Sequence, residues 1–286
     1  MNRIAPALFV LLWSSGFVAG KAGVADSGPL HLLLIRYLLA STLLLLAAGW
    51  SRAPWPATMR QTMWIALAGL LVHAGYLGGV FTALRAGFGA GEVALVVGLQ
   101  PILTAAFAAL WLGERLSWQR RAGLLLGLIG IALVLSPRLG AHRLSALLQA
   151  PGLTAAVLAL FSISIGTIFQ KRFCADMDLR SGGAIQFATC AVFTGLLLWC
   201  SPGDAPPQAT LRLAFALAWL VLVLSVGAVG LLYRLLQRGA ASQVTTLFYL
   251  VPVVTTALGM LLFGETLTPL AALGMLLTVS AVILAR

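Results

Sequence analysis

Few ionisable or hydrogen-bonding side chains interrupt the apolar runs of this 286-residue chain, so each that does is a candidate for chemistry. His73, in LLVHAGYL, lies one helical turn from Tyr76 and could hydrogen-bond a small molecule or titrate. Its plain alternative is a hydrogen bond to a neighbouring helix. Arg36, in LLIRYLLA, could attract a carboxylate, pair with an acid, or extend outward to lipid headgroups. Trp13, grouped with Tyr76, Phe81 and, from later in the chain, Tyr233 and Tyr249, could stack an aromatic side chain or offer a ring face to an ammonium group. Packing between helices or against lipid is the alternative for these rings. With Gln100 added, the candidate substrate-binding set is Trp13, Arg36, His73, Tyr76, Phe81, Gln100 and Tyr249.

Catalytic machinery is not in evidence. The chain has no HExxH, no GxSxG, no Gly-rich phosphate loop and no paired acids at one depth, so we expect no enzyme, no metal and no cofactor. Cys174, Cys190 and Cys200 are odd in number and indicate no disulfide framework.

The elements that must position these residues follow from composition: 61% of residues are hydrophobic, 9% are charged and mean hydropathy is +1.03. Soluble domains carry about a quarter charged residues, and uncharged apolar runs of about 18 or more residues are read as membrane spans. Ten such runs are expected, at 4–21, 31–49, 62–84, 91–112, 118–135, 152–171, 183–200, 212–233, 240–262 and 268–285. The fold class is therefore all-α, a polytopic membrane protein.

The runs repeat. WSSGFVAGK (Trp13–Lys21) aligns with ISIGTIFQK (Ile163–Lys171) at an offset of 150, which also sets Arg36-Tyr37 over Gln186-Phe187. HAGYLGGVF (His73–Phe81) aligns with SVGAVGLLY (Ser225–Tyr233), and GLQPILTAAFAALWLGERL (Gly98–Leu116) with YLVPVVTTALGMLLFGETL. A mid-chain copy of the first run makes that run a span and not a cleaved signal. Two five-helix halves, 1–136 and 150–286, are expected. Five is odd, so the second half enters the membrane upside down.

Charge orients the pair. Arg115, Arg120 and Arg121 are replaced in the second copy by Thr266, Ala271 and Ala272, and cytoplasmic loops are the ones enriched in Lys and Arg. With both termini cytoplasmic, the cytoplasmic ends collect 12 of the 18 basic residues. The net charge of +11 then reflects orientation and anionic lipid, and no nucleic-acid partner is expected. Glu114 and Glu265 fall at opposite faces and share no site, while Glu92 opens a helix where negative charge suits the dipole. Trp50, Trp55, Trp64, Trp118 and Trp199 fall at span ends as an interfacial belt.

Inverted repeats place a binding site at their interface near the bilayer midplane and let the halves rock about it. Pro101 and Pro252 are expected mid-helix in equivalent spans, where each is a hinge or a static kink. Gly123, Gly127 and Gly130 form a small face in the fifth span, suited to close packing within the bundle.

In these features the chain resembles the drug/metabolite transporter superfamily, specifically its ten-helix EamA-type exporters. The carriers are WSSGFVAGK, Arg36-Tyr37, the PxxT followed by GE in both halves (Pro101, Thr104, Gly113, Glu114; Pro252, Thr255, Gly264, Glu265) and the duplication. The resemblance covers essentially the whole chain. It implies export of small metabolites or amino acids from the bacterial cytoplasm, across the inner membrane, through a cavity lined mainly by helices 1, 3, 4, 6, 8 and 9. Within the family the chain looks most like the YddG-type aromatic amino-acid exporters. The expected partners are a small-molecule substrate and membrane lipid, with a monomer sufficient. Purines, sugars or toxic compounds remain alternative substrates, and a channel is the alternative class.

Overall fold

Each of the ten apolar runs has its helix in the computed structural model, which describes residues 4–112, 118–139, 151–229, 231 and 248–284. In chain order these are α1 (Ile4–Asp26), α2 (Pro29–Trp50), α3 (Met59–Arg85), α4 (Ala90–Val97, resuming as Gln100–Leu112), α5 (Trp118–Leu139), α6 (Pro151–Phe173), α7 (Leu179–Cys200), α8 (Leu211–Ala228), α9 (Val251–Phe263) and α10 (Pro269–Leu284). Among the described residues seven helices are long and apolar enough to cross a membrane, and three shorter apolar helices stand at α5, α9 and α10.

Local sequence sets the ends. Pro29 opens α2 where its missing N–H would have had no intrahelical partner anyway. Thr58, Asp178 and Thr210 each accept a first-turn N–H, from Gln61, Ser181 (with Arg180) and Leu213. Gly264, in the left-handed region at φ 64°, stops α9.

Packing establishes the inverted repeat. Three pairs of equivalent helices, α2 with α7, α4 with α9 and α5 with α10, lie against each other and run antiparallel. Gly183 and Gly195 on α7 face Leu44 and Leu34 on α2, so one number rises as the other falls. Likewise Gly91 and Gly98 on α4 face Thr256 and Pro252 on α9, and Gly127 and Gly130 on α5 face Ala281 and Gly274 on α10. A Cβ at Gly130 would meet the Gly274 carbonyl oxygen and Thr278, so the small face of α5 is spent on close packing inside the bundle. Other contacts between the halves come in twins: α1 on α8 matches α3 on α6, and α2 on α8 matches α7 on α3. Large apolar side chains such as Leu46, Leu158, Leu196 and Leu261 stay exposed, the surface that lipid covers.

Asp26, His31, Arg85, Asp204, Arg212 and Glu265 gather at one end of the bundle, called here the Asp26 end. At the other, Ser181 Oγ donates to the Pro54 carbonyl at 2.5 Å and Cys174 packs with Ile65 and Ala68. Glu114, with the rest of 113–117, lies outside the described residues.

The third helix of each half contains a π-helical turn, at Leu70–Gly75 and at Trp219–Ala228. Such turns loosen the backbone ladder and recur at functional sites. Side chains meet carbonyls in both: Ser162 Oγ donates to Leu71 O at 2.9 Å, Tyr37 Oη to His73 O at 2.9 Å, and Ser225 Oγ to Leu220 O at 3.1 Å.

The prolines are not in the interior of continuous helices. α4 breaks at Gly98-Leu99, and Pro101 is the second residue of the resumed segment. Pro252 is the second residue of Val251–Phe263, after a 3₁₀ turn at Phe248–Leu250. A proline in a first helical turn removes no ladder hydrogen bond, so each marks a segment start rather than a kink.

Candidate functional site

A cavity of about 120 Å³ lies between the halves, roughly ten times what one water needs. α1 supplies Trp13, Gly16 and Phe17; α2 supplies Arg36; α3 supplies His73, Tyr76, Val80 and Phe81; α7 supplies Phe187 and α8 Leu224 and Ser225. Its wall is aromatic and aliphatic, and no acidic residue lines it among the described residues.

Arg36 is the one formal charge in that wall. It is 7% exposed, its Nη2 lies 3.5 Å from Ser225 Oγ, and its Nε has no hydrogen-bond partner. The outward extension to headgroups considered from the sequence is thereby corrected: two turns into α2, the guanidinium points into the bundle. A buried cation without an anion is costly, which leaves the site in want of a negative partner.

His73 sits on the π turn of α3. Its Nε2 is 3.3 Å from Gln186 Oε1, and its ring stacks on Phe187 at 4.4 Å between centroids. Because the amide oxygen only accepts, that contact assigns the proton to Nε2. Gln186 Nε2 in turn donates to Gln170 Oε1 at 3.3 Å. Of the two roles considered from the sequence, the structure shows the interhelical one, since Nε2 ties α3 to α7, while the ring also forms cavity wall.

Trp13 packs against Phe9 at 5.4 Å and Phe248 at 5.2 Å. Phe81, 1% exposed, closes the cavity toward the Asp26 end against Gly20, where a Cβ would stand 2.7 Å from the Phe81 ring. Five of the seven sequence candidates thus meet in one cavity. Gln100 does not join them: it turns away and donates to Thr167 Oγ1 at 3.0 Å. Tyr249 lies in the 3₁₀ turn with its side chain outside the described residues, as does Tyr233 altogether.

Sequence reasoning passed over Phe17, Gln186, Phe187 and Ser225. The repeat held the signal for the last three, since Gln186-Phe187 align with Arg36-Tyr37 and Ser225 with His73.

A second, more polar cavity of about 360 Å³ stands at the Asp26 end, lined by Lys21, Glu92, Thr256 and Glu265. Lys21 pairs with Glu265, and its Nζ lies 5.0 Å from the centre of the Phe263 ring. Glu265 Oε1 also accepts the Ala90 N–H at 2.9 Å. Among the described residues no three His, Cys, Asp or Glu side chains group as metal ligands would.

A central cavity between two inverted helical repeats of membrane-spanning length defines the class: a membrane transporter. The sequence profile of the EamA-like transporter family matches residues 4–136 and again 150–286, and the chain belongs to that family. It is a transporter and not an enzyme. It is 26% identical to an uncharacterised transporter, YvbV, of Bacillus subtilis, over 97% of this chain and 89% of that one. A probable amino-acid metabolite efflux pump of Salmonella typhimurium is 27% identical over 94% and 89%, and a probable terminal-alkyne amino-acid exporter of Streptantibioticus cattleyicolor 28% identical over 97% and 90%. One solved crystal structure shares the fold with a TM-score of 0.67 at 22% identity, across 99% of this chain and 96% of that one.

Proposed function

We propose that this transporter exports small zwitterionic metabolites, amino acids with an apolar or aromatic side chain foremost, from the bacterial cytoplasm across the inner membrane. Both termini are cytoplasmic in this reading, and the halves 1–136 and 150–286 rock about the central cavity. The observation that carries it is Arg36: a buried guanidinium with an unpartnered Nε, in an otherwise apolar cavity that lacks an acid among the described residues. A substrate carboxylate supplies the missing anion, and charge-assisted pairing with arginine is among the stronger hydrogen-bonding geometries. The substrate ammonium lies over the Trp13 or Tyr76 ring, and an apolar side chain suits the wall made by Phe17, Phe81 and Phe187. The Salmonella and Streptantibioticus relatives, a probable amino-acid metabolite efflux pump and a probable terminal-alkyne amino-acid exporter, support the same class.

The test is transport into proteoliposomes of amino acids set beside their carboxamides, which keep the ammonium and side chain but lose the charge. Saturable uptake of an apolar or aromatic amino acid, competed by other such acids and not by carboxamides, is the expected result. Movement of carboxamides as fast as acids, of phosphorylated compounds alone, or an ohmic current would overturn it.

A further inference from the structure

We infer that the Lys21–Glu265 pair is the gate that holds the Asp26 end of the transport path shut. The inference rests on the chain being a transporter and not on which molecule it carries.

Glu265 belongs to the second half, yet its carboxylate meets two groups of the first: the Lys21 ammonium on α1 and the Ala90 N–H that opens α4. The seat is shaped for it. Gly264, at φ 64°, ends α9 and turns the chain so that Glu265 N–H donates back to Gly259 O at 3.3 Å. A Cβ at Gly89 or at Gly259 would come within 3.0 Å and 2.5 Å of the Glu265 carboxylate. Phe263, two residues earlier, lies under the same ammonium at 5.0 Å. The 263–265 corner of one half thus grips α1 and α4 of the other by an ion pair, a backbone cap and a ring face together.

Its position is that of a gate. Lys21 follows Gly20, the residue on which Phe81 closes the central cavity, so ring and ion pair form successive layers across the same passage. The polar cavity lined by Lys21 and Glu265 runs beside this pair among α4, α5, α9 and α10. Among the described residues two other ion pairs join the halves at this end, Asp26 with Arg212 and His31 with Asp204, but neither lines either of the two cavities described above, and both fasten α1 or α2 to the α7–α8 region. At the opposite end the pair formed by Asp178 and Arg180 lies within one half. For the central cavity to reach the Asp26 side, the 263–265 corner must leave α1 and α4, and the Lys21–Glu265 pair must break.

Two measurements test this. In a Cys200→Ser background, a Leu224→Cys reporter on the cavity wall is labelled from the Asp26 side with a membrane-impermeant maleimide, which requires no substrate. Lys21→Met and Glu265→Gln should each raise the labelling rate about two- to fivefold, as loss of a partly exposed pair allows. The swap Lys21→Glu with Glu265→Lys should return it toward the parental rate. Lys21→Met leaves the Ala90 cap in place and decides the matter should Glu265→Gln fail to fold. In the second measurement, bridging Lys21→Cys and Glu265→Cys with a short bis-methanethiosulfonate reagent should stop transport, and reductant should restore it. Parental labelling in the single variants, or undiminished transport by the cross-linked protein, would overturn the gate even where the amino-acid reading holds. Faster labelling with no amino-acid transport would overturn that reading and leave the gate standing.

Discussion

Arg36 and Gln186 occupy the same place in the two halves, 150 positions apart, and each reaches the third helix of the other half. Arg36 Nη2 stands 3.5 Å from Ser225 Oγ on α8; Gln186 Oε1 stands 3.3 Å from His73 Nε2 on α3. Ser225 and His73 are themselves repeat partners. The two crossings are one contact made twice, but only one copy carries a fixed charge, and in the proposed reading that asymmetry is what suits a symmetric scaffold to an anion.

Removing the charge should remove the preference for acids. Arg36→Gln is expected to weaken uptake of a zwitterionic amino acid at least about tenfold, the lower end for a hydrogen bond to a charged group. Arg36→Lys should keep part of it, since the point charge survives while the planar fork is lost. Concentration dependence of initial uptake rates checks both; parental KM in Arg36→Gln would contradict the assignment.

Trp13→Ala, His73→Ala and Tyr76→Ala should each lower uptake several-fold, as loss of one anchoring contact costs about 1 kcal/mol or more. Protein abundance in the membrane, measured alongside, separates this from misassembly. Gln100→Ala, whose side chain turns toward Thr167, should leave the apparent affinity for substrate unchanged.

Pro101→Ala supplies an N–H to a first turn that abuts the end of Ala90–Val97. With the ring gone, the two segments of α4 are able to join into one helix, since the clash with the carbonyl four residues earlier disappears. Turnover is expected to fall with little change in KM, and Pro252→Ala should behave alike. Unchanged turnover in both would leave the prolines as packing features.

Orientation is checked by labelling Thr266→Cys in intact cells and in inverted vesicles. The residue follows Glu265 at the Asp26 end, and the expected outcome is reaction with impermeant reagent in intact cells and none when only the cytoplasmic face is presented. The reverse pattern would turn the molecule over.

Asp178 caps α7 outside the span, and its carboxyl is held below the ordinary range first by hydrogen bonding from the Arg180 side chain, with the Arg180 and Ser181 N–H groups adding to it. A depressed folded value means its contribution is present above the ordinary Asp pKa and is lost as pH falls through the lower folded one. Asp178→Ala should cost about 1 kcal/mol, as N-cap removal does. Thermal unfolding in detergent should show the difference near neutrality and a narrowing gap in strong acid.

Helix number, order and the inversion were legible in the sequence because they rest on properties summed over whole segments. Runs of about 20 apolar residues can only be spans, and an odd count per repeat forces the second copy over. What the sequence left open is rotational. Helices apolar on nearly every side carry no polar stripe to mark the face that looks inward. Thus Arg36 read as reaching headgroups or pairing with an acid somewhat better than as facing the cavity, and Gln100 as lining a site it turns away from. Local backbone state was open for the same reason: nothing in the composition announces the π turns, and Pro101 and Pro252, expected mid-helix as hinges or kinks, stand instead in first turns. Tertiary packing decided these points. Close glycine contacts such as Gly91 on Thr256 and Gly130 on Gly274 fix how each helix is turned against its repeat partner. Once those rotations are set, Arg36 has nowhere to face but the cavity.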